Sequence, residues 1–466
     1  MPDFDQYLSP FSWRYGSPEM RGLWSEVEKL KTWRAIWVSL AQVQHELGFV
    51  TEEQLSDLRK NAERIDIART QEIEQETRHD VMAEVKCFAE QSPIGGRILH
   101  LGATSTDVKD NTYALLMKRA LNILLPKLGL VLADLAGKME AYADFPIVAF
   151  THLQPAEPST LGYRFAVYAQ DLFEDWKQLS TLRRGLRAKG FKGAVGTSAS
   201  YIEVLGRENM PQFDRRMSEL LEIEFYEVST QTYPRKQDFM VLSALAGLGA
   251  SLYKFAFDLR LLQSPVIFEW SEPFGKKQIG SSAMPFKKNP INAEKIDSLA
   301  RQLAKYPLIA WDNAAHSLLE RTLDDSANRR IILPESFLIC DEILETTLKI
   351  LTGLQINETQ IQRNFNQYAV FAGVEKVLMA AVKRGGSRQE VHETLRKNAV
   401  AAWEEMRKGR PNPLQAYLTA DPDLRKYLTE YEIDQLLDPA DYIGMAPDKA
   451  KKLAKEIKIT LDFQED

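Results

Sequence analysis

The sequence predicts an all-α protein, in three domains around a central bundle of long helices. Three observations carry this reading. Glycine and proline are sparse: Leu23–Leu47, Phe49–Ser92, Ala103–Leu125, Gln212–Tyr233, Ile291–Tyr306, Leu308–Ile332 and Glu335–Thr352 contain neither, in runs of 16 to 44 residues. Runs of that length favour helices over strands, which average about five or six residues. Apolar residues recur at helical spacing, as at Val27, Leu30, Trp33, Trp37 and Leu40, and again at Ile296, Leu299 and Leu303. Sustained apolar–polar alternation is missing, and so are the Asn-Gly and Asp-Gly pairs that mark tight hairpins.

Taken in order, residues 1–104 read as shorter, charge-rich helices, and residues 105–357 hold the longest apolar ones. The least polar stretch, Phe239–Leu262, carries Lys254, Asp258 and Arg260, so it suits a membrane span poorly. Its Ala244, Ala246, Gly247, Gly249 and Ala250 suit close packing among helices. Residues 358–466 are more polar, with loops expected at Gly385-Gly386 and Pro411-Asn412-Pro413. No fixed repeat argues for a solenoid. The length of 466 residues agrees with three domains, at about 150 residues each.

Hydrophobic residues at 44% and charged residues at 27% exclude a disordered or low-complexity chain. Lys plus Arg is 59 and Asp plus Glu is 65, for a net charge of −6. That excludes the bulk basic footprint of a nucleic-acid binder and leaves room for a local basic pocket. Two cysteines, Cys87 and Cys340, set no disulfide framework, so a reducing, cytoplasmic setting is expected. The first residues, MPDFDQYLSPFSW, lack the pattern of a signal peptide. No His-x-x-x-His spacing or Cys-His cluster supports a catalytic metal.

The segment richest in chemistry is Gly280-Ser-Ser-Ala-Met-Pro-Phe-Lys-Lys-Asn-Pro-Ile-Asn-Ala-Glu294. Gly275–Phe286 reads as a mobile loop of small and turn residues. Asn289 fits a helix N-cap and Pro290 a first helical position, feeding a helix from Ile291. Two lysines, an amide and a helix N-terminus there could hold a carboxylate. Composition by itself equally allows a solvated loop before a capped helix.

GSSAMPFKKNP resembles the signature loop of the fumarase/aspartase superfamily, GSSxMPxKxNP. Further segments are similar to the adenylosuccinate lyase family within it, in its animal-type branch. They are Arg14-Tyr15, Thr77-Arg-His-Asp-Val-Met82, His100-Leu-Gly-Ala-Thr-Ser105, Phe150-Thr-His-Leu-Gln-Pro155, Gln231-Thr-Tyr-Pro-Arg-Lys236, Glu320–Arg330 and Gly385-Gly-Ser-Arg-Gln389. The resemblance runs in order over most of the chain. It implies the superfamily's three-domain helical fold, with the central bundle completed in a homotetramer whose sites draw on several chains. It implies β-elimination of fumarate from a succinyl-nucleotide without a cofactor, and no nucleic-acid or membrane partner.

By the same resemblance, Ser281 is the base and His152 the general acid, paired with Glu294. A base, an acid and a stabiliser of a near-dianionic carboxylate are what this elimination needs. Lys287 and Asn289 match carboxylate contacts. His79 lies between Arg78 and Asp80 in a trio that touches substrate, and His100 matches a further active-site histidine. Thr104, Ser105 and Thr151 match succinyl-carboxylate contacts, although a helix cap also explains Thr104–Asp107. Arg14, Tyr15, Gln231 and Lys295 match further substrate contacts.

Arg321, Ser326 and Arg330 match a site that binds largely phosphate. Arg321, Asp325 and Arg329 are also spaced as an ion-pair ladder on one helical face. Arg321 and Arg330 fall on nearly opposite faces of an ideal helix, so a shared ligand requires a break near Asp324–Ala327. Two positions depart from the family pattern: Lys295 stands for an arginine, and Phe286 for an aromatic hydroxyl. Gly190, Gly193 and Gly196 do not form a dinucleotide motif, and the resemblance assigns them to tight packing. Two other readings are a sister lyase acting on argininosuccinate and a catalytically silent helical scaffold.

Overall fold

The computed structural model describes residues 4–440 and 442–462. The all-α expectation is met, with 68% of the structure helical. The strands described form three two-stranded sheets: Pro146–Thr151 with Gln154–Thr160, Arg187–Ala188 with Glu224–Phe225, and Trp270–Ser271 with Gln355–Ile356.

The breaker-free runs are helical but stop at residues other than Gly and Pro. Phe49–Ser92 folds as three helices, Glu52–Asn61, Ile67–Thr77 and Asp80–Gln91. Thr51 and Gln54 form a capping box, Asp66 caps the second helix, and Arg78 ends it in the left-handed region at φ 53°. Side-chain caps satisfy the orphan backbone groups that would otherwise favour continuing the helix. Gln212–Tyr233 likewise ends its helix, Met210–Leu221, at Glu222 with φ 52°. Conversely, Pro126 and Pro334 lie inside the helices Ser105–Ala141 and Asp325–Thr352.

The chain divides by packing into two compact units, one of residues 1–128, 175–250 and 298–345, the other of 129–174, 251–297 and 346–466. The sequence segments 1–104, 105–357 and 358–466 are instead a division along chain order. In the first unit, Leu30, Trp33, Trp37 and Leu40 from Glu26–Glu46 join Val81, Val85 and Phe88 from Asp80–Gln91 in one core. Val27 is the exception on the expected apolar face, 43% exposed in the first helical turn. Cys87 and Cys340 are both buried and free.

In the second unit, Val377, Leu395, Leu418, Ile433 and Leu437 form a separate core of short helices. The loops expected at Gly385-Gly386 and Pro411–Pro413 do separate these helices. Ser105–Ala141 and Lys236–Leu262 are long and apolar enough to cross a membrane by length and composition, and half of each apolar window is buried within the chain.

Candidate active site

A cavity of about 400 Å³ opens in the first unit, lined only by residues of that unit. Nine residues assigned from the motifs line it: Arg78, His79, Asp80, Thr104, Ser105, Gln231, Arg321, Ser326 and Arg330. Local structure explains how they converge. Arg78 turns the chain in a left-handed conformation between two helices. His79 then caps the next helix by accepting the Met82 N–H on Nδ1 at 3.3 Å. That acceptor role places the imidazole proton on Nε2, which lies 3.3 Å from Ser105 Oγ.

Asp80 is the anion between two cations. Its Oδ2 lies 2.8 Å from both Lys109 Nζ and Arg330 Nη2. Burial alone would raise the Asp80 carboxyl, but Lys109 and Arg330 outweigh it and hold it below the usual carboxylate range.

Arg321 and Arg330 both line the cavity because no helix connects them. The helix begins at Asp325, and Arg321 sits in the preceding loop. Arg321 still pairs with Asp325, at 2.8 Å. The rest of the expected ladder is replaced, since Arg329 turns to Asp238 at 2.7 Å and to the Tyr233 hydroxyl at 2.8 Å. Arg235 joins Asp110 at 3.0 Å and Asp325 at 2.6 Å. These buried pairs fix the floor of the cavity. Burial raises the Tyr113 phenol, which lies under the Arg329 guanidinium at 4.7 Å.

Lys109, Tyr113, Arg235 and Arg329 line the cavity without having been assigned to it from the motifs. The available signal was spacing: Ser105, Lys109 and Tyr113 follow at four-residue steps on one helical face.

Thr104 lines the cavity just before the helix Ser105–Ala141, and Asp107 supplies the capping side chain there. Asp107 reaches back to accept the Thr104 N–H at 3.0 Å. Asp107 is buried beside Lys189 and also accepts the Gly193 N–H at 3.2 Å and the Tyr201 hydroxyl at 3.1 Å. The tight packing expected at the glycines is present. Gly193 has φ +70°, and a Cβ on Gly196, at φ +89°, would stand 2.0 Å from the Ser229 carbonyl oxygen.

The other assigned residues lie outside this cavity. Arg14 covers the rings of Trp13 and Tyr15, at 5.7 and 5.9 Å. His100 accepts the Trp37 indole N–H on Nδ1 at 3.1 Å, and burial lowers its imidazole below the usual value.

In the second unit, the strands Pro146–Thr151 and Gln154–Thr160 form a β-hairpin whose two turn residues are His152 and Leu153, at φ 51° and 61°. Two positive φ values are what a two-residue type I′ turn requires, here without the Asn-Gly pair that signals one. Thr151 pairs with Gln154 at the end of the ladder. Holding two non-glycine residues there stores strain, a mark of functional turns. His152 lines a second cavity, of about 470 Å³, with Phe150, Arg164, Tyr168 and Asp258.

The signature loop, also in the second unit, is closed by its own hydrogen bonds. Ser281 Oγ accepts the N–H groups of Ala283 at 3.3 Å and Met284 at 3.0 Å. Two such donors would lower the cost of an oxyanion at this atom. Asn289 is not the helix cap expected. Its amide donates to the Gly280 carbonyl at 2.9 Å, and the helix starts at Ile291. A Cβ on Gly280 would meet the Lys287 carbonyl oxygen at 1.9 Å, so only glycine allows this closure.

The helix N-terminus does hold a carboxylate, but it is that of Glu272. This side chain accepts from the backbone of Asn292 and Ala293 at 3.1 Å each. Lys287 and Phe286 are exposed, and Lys295 is half-buried on the helix. Glu294 lies 4.0 Å from Arg260 Nη2, and no contact joins it to His152 among the described residues. Among those residues, no group of three or more His, Cys, Asp and Glu side chains is arranged for a metal ion.

Comparison with known proteins places the chain in a family. The family described as Lyase matches residues 19–304, and the one described as Adenylosuccinate lyase C-terminus matches residues 371–453. The chain is 40% identical to the adenylosuccinate lyase of Saccharomyces cerevisiae, over 98% of this chain and 95% of that protein. It is 39% identical to that of Schistosoma mansoni, over 97% and 95%. Among solved structures, a 3-carboxy-cis,cis-muconate lactonizing enzyme from Pseudomonas putida aligns with TM-score 0.85 at 25% identity, over 96% of this chain and 98% of that one. A match at this identity over nearly the whole of both chains, on this fold, means that the chain belongs to the adenylosuccinate lyase family of the fumarase/aspartase superfamily.

Proposed function

We propose that the chain eliminates fumarate from adenylosuccinate to give AMP, and from the succinyl-aminoimidazole-carboxamide ribotide of purine synthesis to give its carboxamide. The observation that carries this is the gathering of Arg78, His79, Asp80, Ser105, Arg321 and Arg330 around one cavity of about 400 Å³. That volume suits a small ligand, and its cations suit one with a phosphate and two carboxylates.

In this reading Ser281 Oγ takes the proton from the succinyl carbon beside a carboxylate. The carbon–nitrogen bond then breaks as the carbon–carbon double bond forms, and His152 protonates the departing nitrogen. The N–H donors of Ala283 and Met284 support the serine as base by stabilising its oxyanion. Arg321, Ser326 and Arg330 hold the phosphate, and Thr104 and Ser105 a succinyl carboxylate.

The working unit is a homotetramer with sites assembled from several chains. The half-exposed apolar windows of Ser105–Ala141 and Lys236–Leu262 support this, since such faces favour helix partners. The two buried, unpaired cysteines favour a cytoplasmic setting. Purified protein supplied with adenylosuccinate should release AMP and fumarate, followed by ultraviolet absorbance. No conversion at high enzyme concentration would rule out the lyase reading.

A further inference from the structure

We propose that Lys109 is a positioning residue that frees Arg330 for the substrate, acting through Asp80. The inference rests on the lyase reading above. Lys109 Nζ and Arg330 Nη2 stand at equal distance, 2.8 Å, from a single atom, Asp80 Oδ2. The other carboxylate oxygen, Oδ1, accepts the Val81 N–H at 2.8 Å. One negative charge is therefore divided between two cations.

The two cations differ in setting. The Lys109 side chain is 19% exposed and that of Arg330 is 51% exposed. Lys109 is the inner, held cation, and Arg330 is the outer one at the cavity. Lys109 also stands one helical turn after Ser105, whose hydroxyl meets His79. The rungs Ser105–His79 and Lys109–Asp80 thus fasten one helix start to another.

A lone carboxylate would hold Arg330 in a full charge-assisted pair. With Lys109 already on the same oxygen, Arg330 is held less firmly and can turn to an incoming oxyanion. Asp80 stays compensated after Arg330 leaves, so no half-buried carboxylate is left without a cation. Arg235, Arg329 and Arg321 are less suited to this exchange, because Asp110, Asp238 and Asp325 engage them at the buried floor.

Lys109→Met is expected to raise the KM for adenylosuccinate and the Kd for inorganic phosphate by about tenfold each, with a smaller fall in kcat. Lys109→Arg should recover most of both. In an Asp80→Asn background, Lys109→Met should add less than about twofold, because the carboxylate it acts through has lost its charge. Equal losses in both backgrounds would show direct contact with the substrate and overturn the positioning role. Unchanged KM and Kd in Lys109→Met would overturn it too. Thermal melting reports whether each variant folds, and Lys109→Gln replaces Lys109→Met if the latter does not. Wild-type turnover tests the lyase reading separately, and phosphate titration calorimetry reports on the Arg330 site even in a chain that turns nothing over.

Discussion

Glu272 binds Asn292 through both backbone and side chain, accepting the N–H at 3.1 Å and the amide at 3.0 Å. The loop that carries Ser281 is thereby tied at its two ends, since Glu272 precedes it and Asn292 follows it. Gln263 adds a second tie, accepting the Glu272 N–H and donating to the Lys288 carbonyl, both at 3.0 Å.

Glu272→Ala should therefore cost about 1–3 kcal/mol of stability, because it strips a helix N-terminus of its carboxylate cap. The same variant should lower kcat by loosening the base of the loop. Unfolding by heat or urea checks the first outcome, and an unchanged profile would show that the cap is dispensable.

Ser281→Ala and His152→Ala should each lower kcat by about 10²- to 10⁴-fold, the range for loss of a proton-transfer group. If the sites draw on several chains, mixing and reassembling the two variants should restore part of the activity. No recovery, in tetramers shown to exchange subunits, would count against shared sites.

Arg329→Leu should destabilise the first unit by about 3–5 kcal/mol, because it removes the ion-pair partner of the buried Asp238. The Arg329 side chain is 4% exposed, and Asp238 is fully buried. A variant that melts like the wild type would assign this arginine to the ligand instead of the framework.

His100 gives a pH prediction. Burial holds its imidazole below the usual histidine value, about 6.5. The unfolded chain therefore takes up this proton more readily, so stability falls as pH drops below about 6.5 towards the depressed folded value. His100→Asn, which tolerates the φ of 63° at this position, should show a flatter fall in melting temperature over that window. Parallel curves for the two proteins would remove His100 from the account.

Much of the site was legible in the residue order, because its chemistry is written locally. The Ser281 loop, the Arg78-His79-Asp80 turn and the Thr104–Asp107 cap each depend on neighbours within a few positions. The angle of an ideal helix set the condition that Arg321 and Arg330 share a ligand only across a break, and the helix does begin at Asp325. The β-hairpin at His152 was not legible, since its turn lacks the usual Asn-Gly pair and Pro155 and Pro158 interrupt its second strand.

Residue order determined the helical class, the superfamily loop and nine of the residues that line one cavity. Beyond the local pair of Arg321 with Asp325, tertiary structure decided which charge meets which. Glu272 caps a helix start 20 positions later in the chain, Lys109 reaches a carboxylate 29 positions away, and Arg330 meets Asp80 across 250. Periodicity records only which residues share a face of one element, whereas ion pairing depends on distance in space and on the burial that strengthens it.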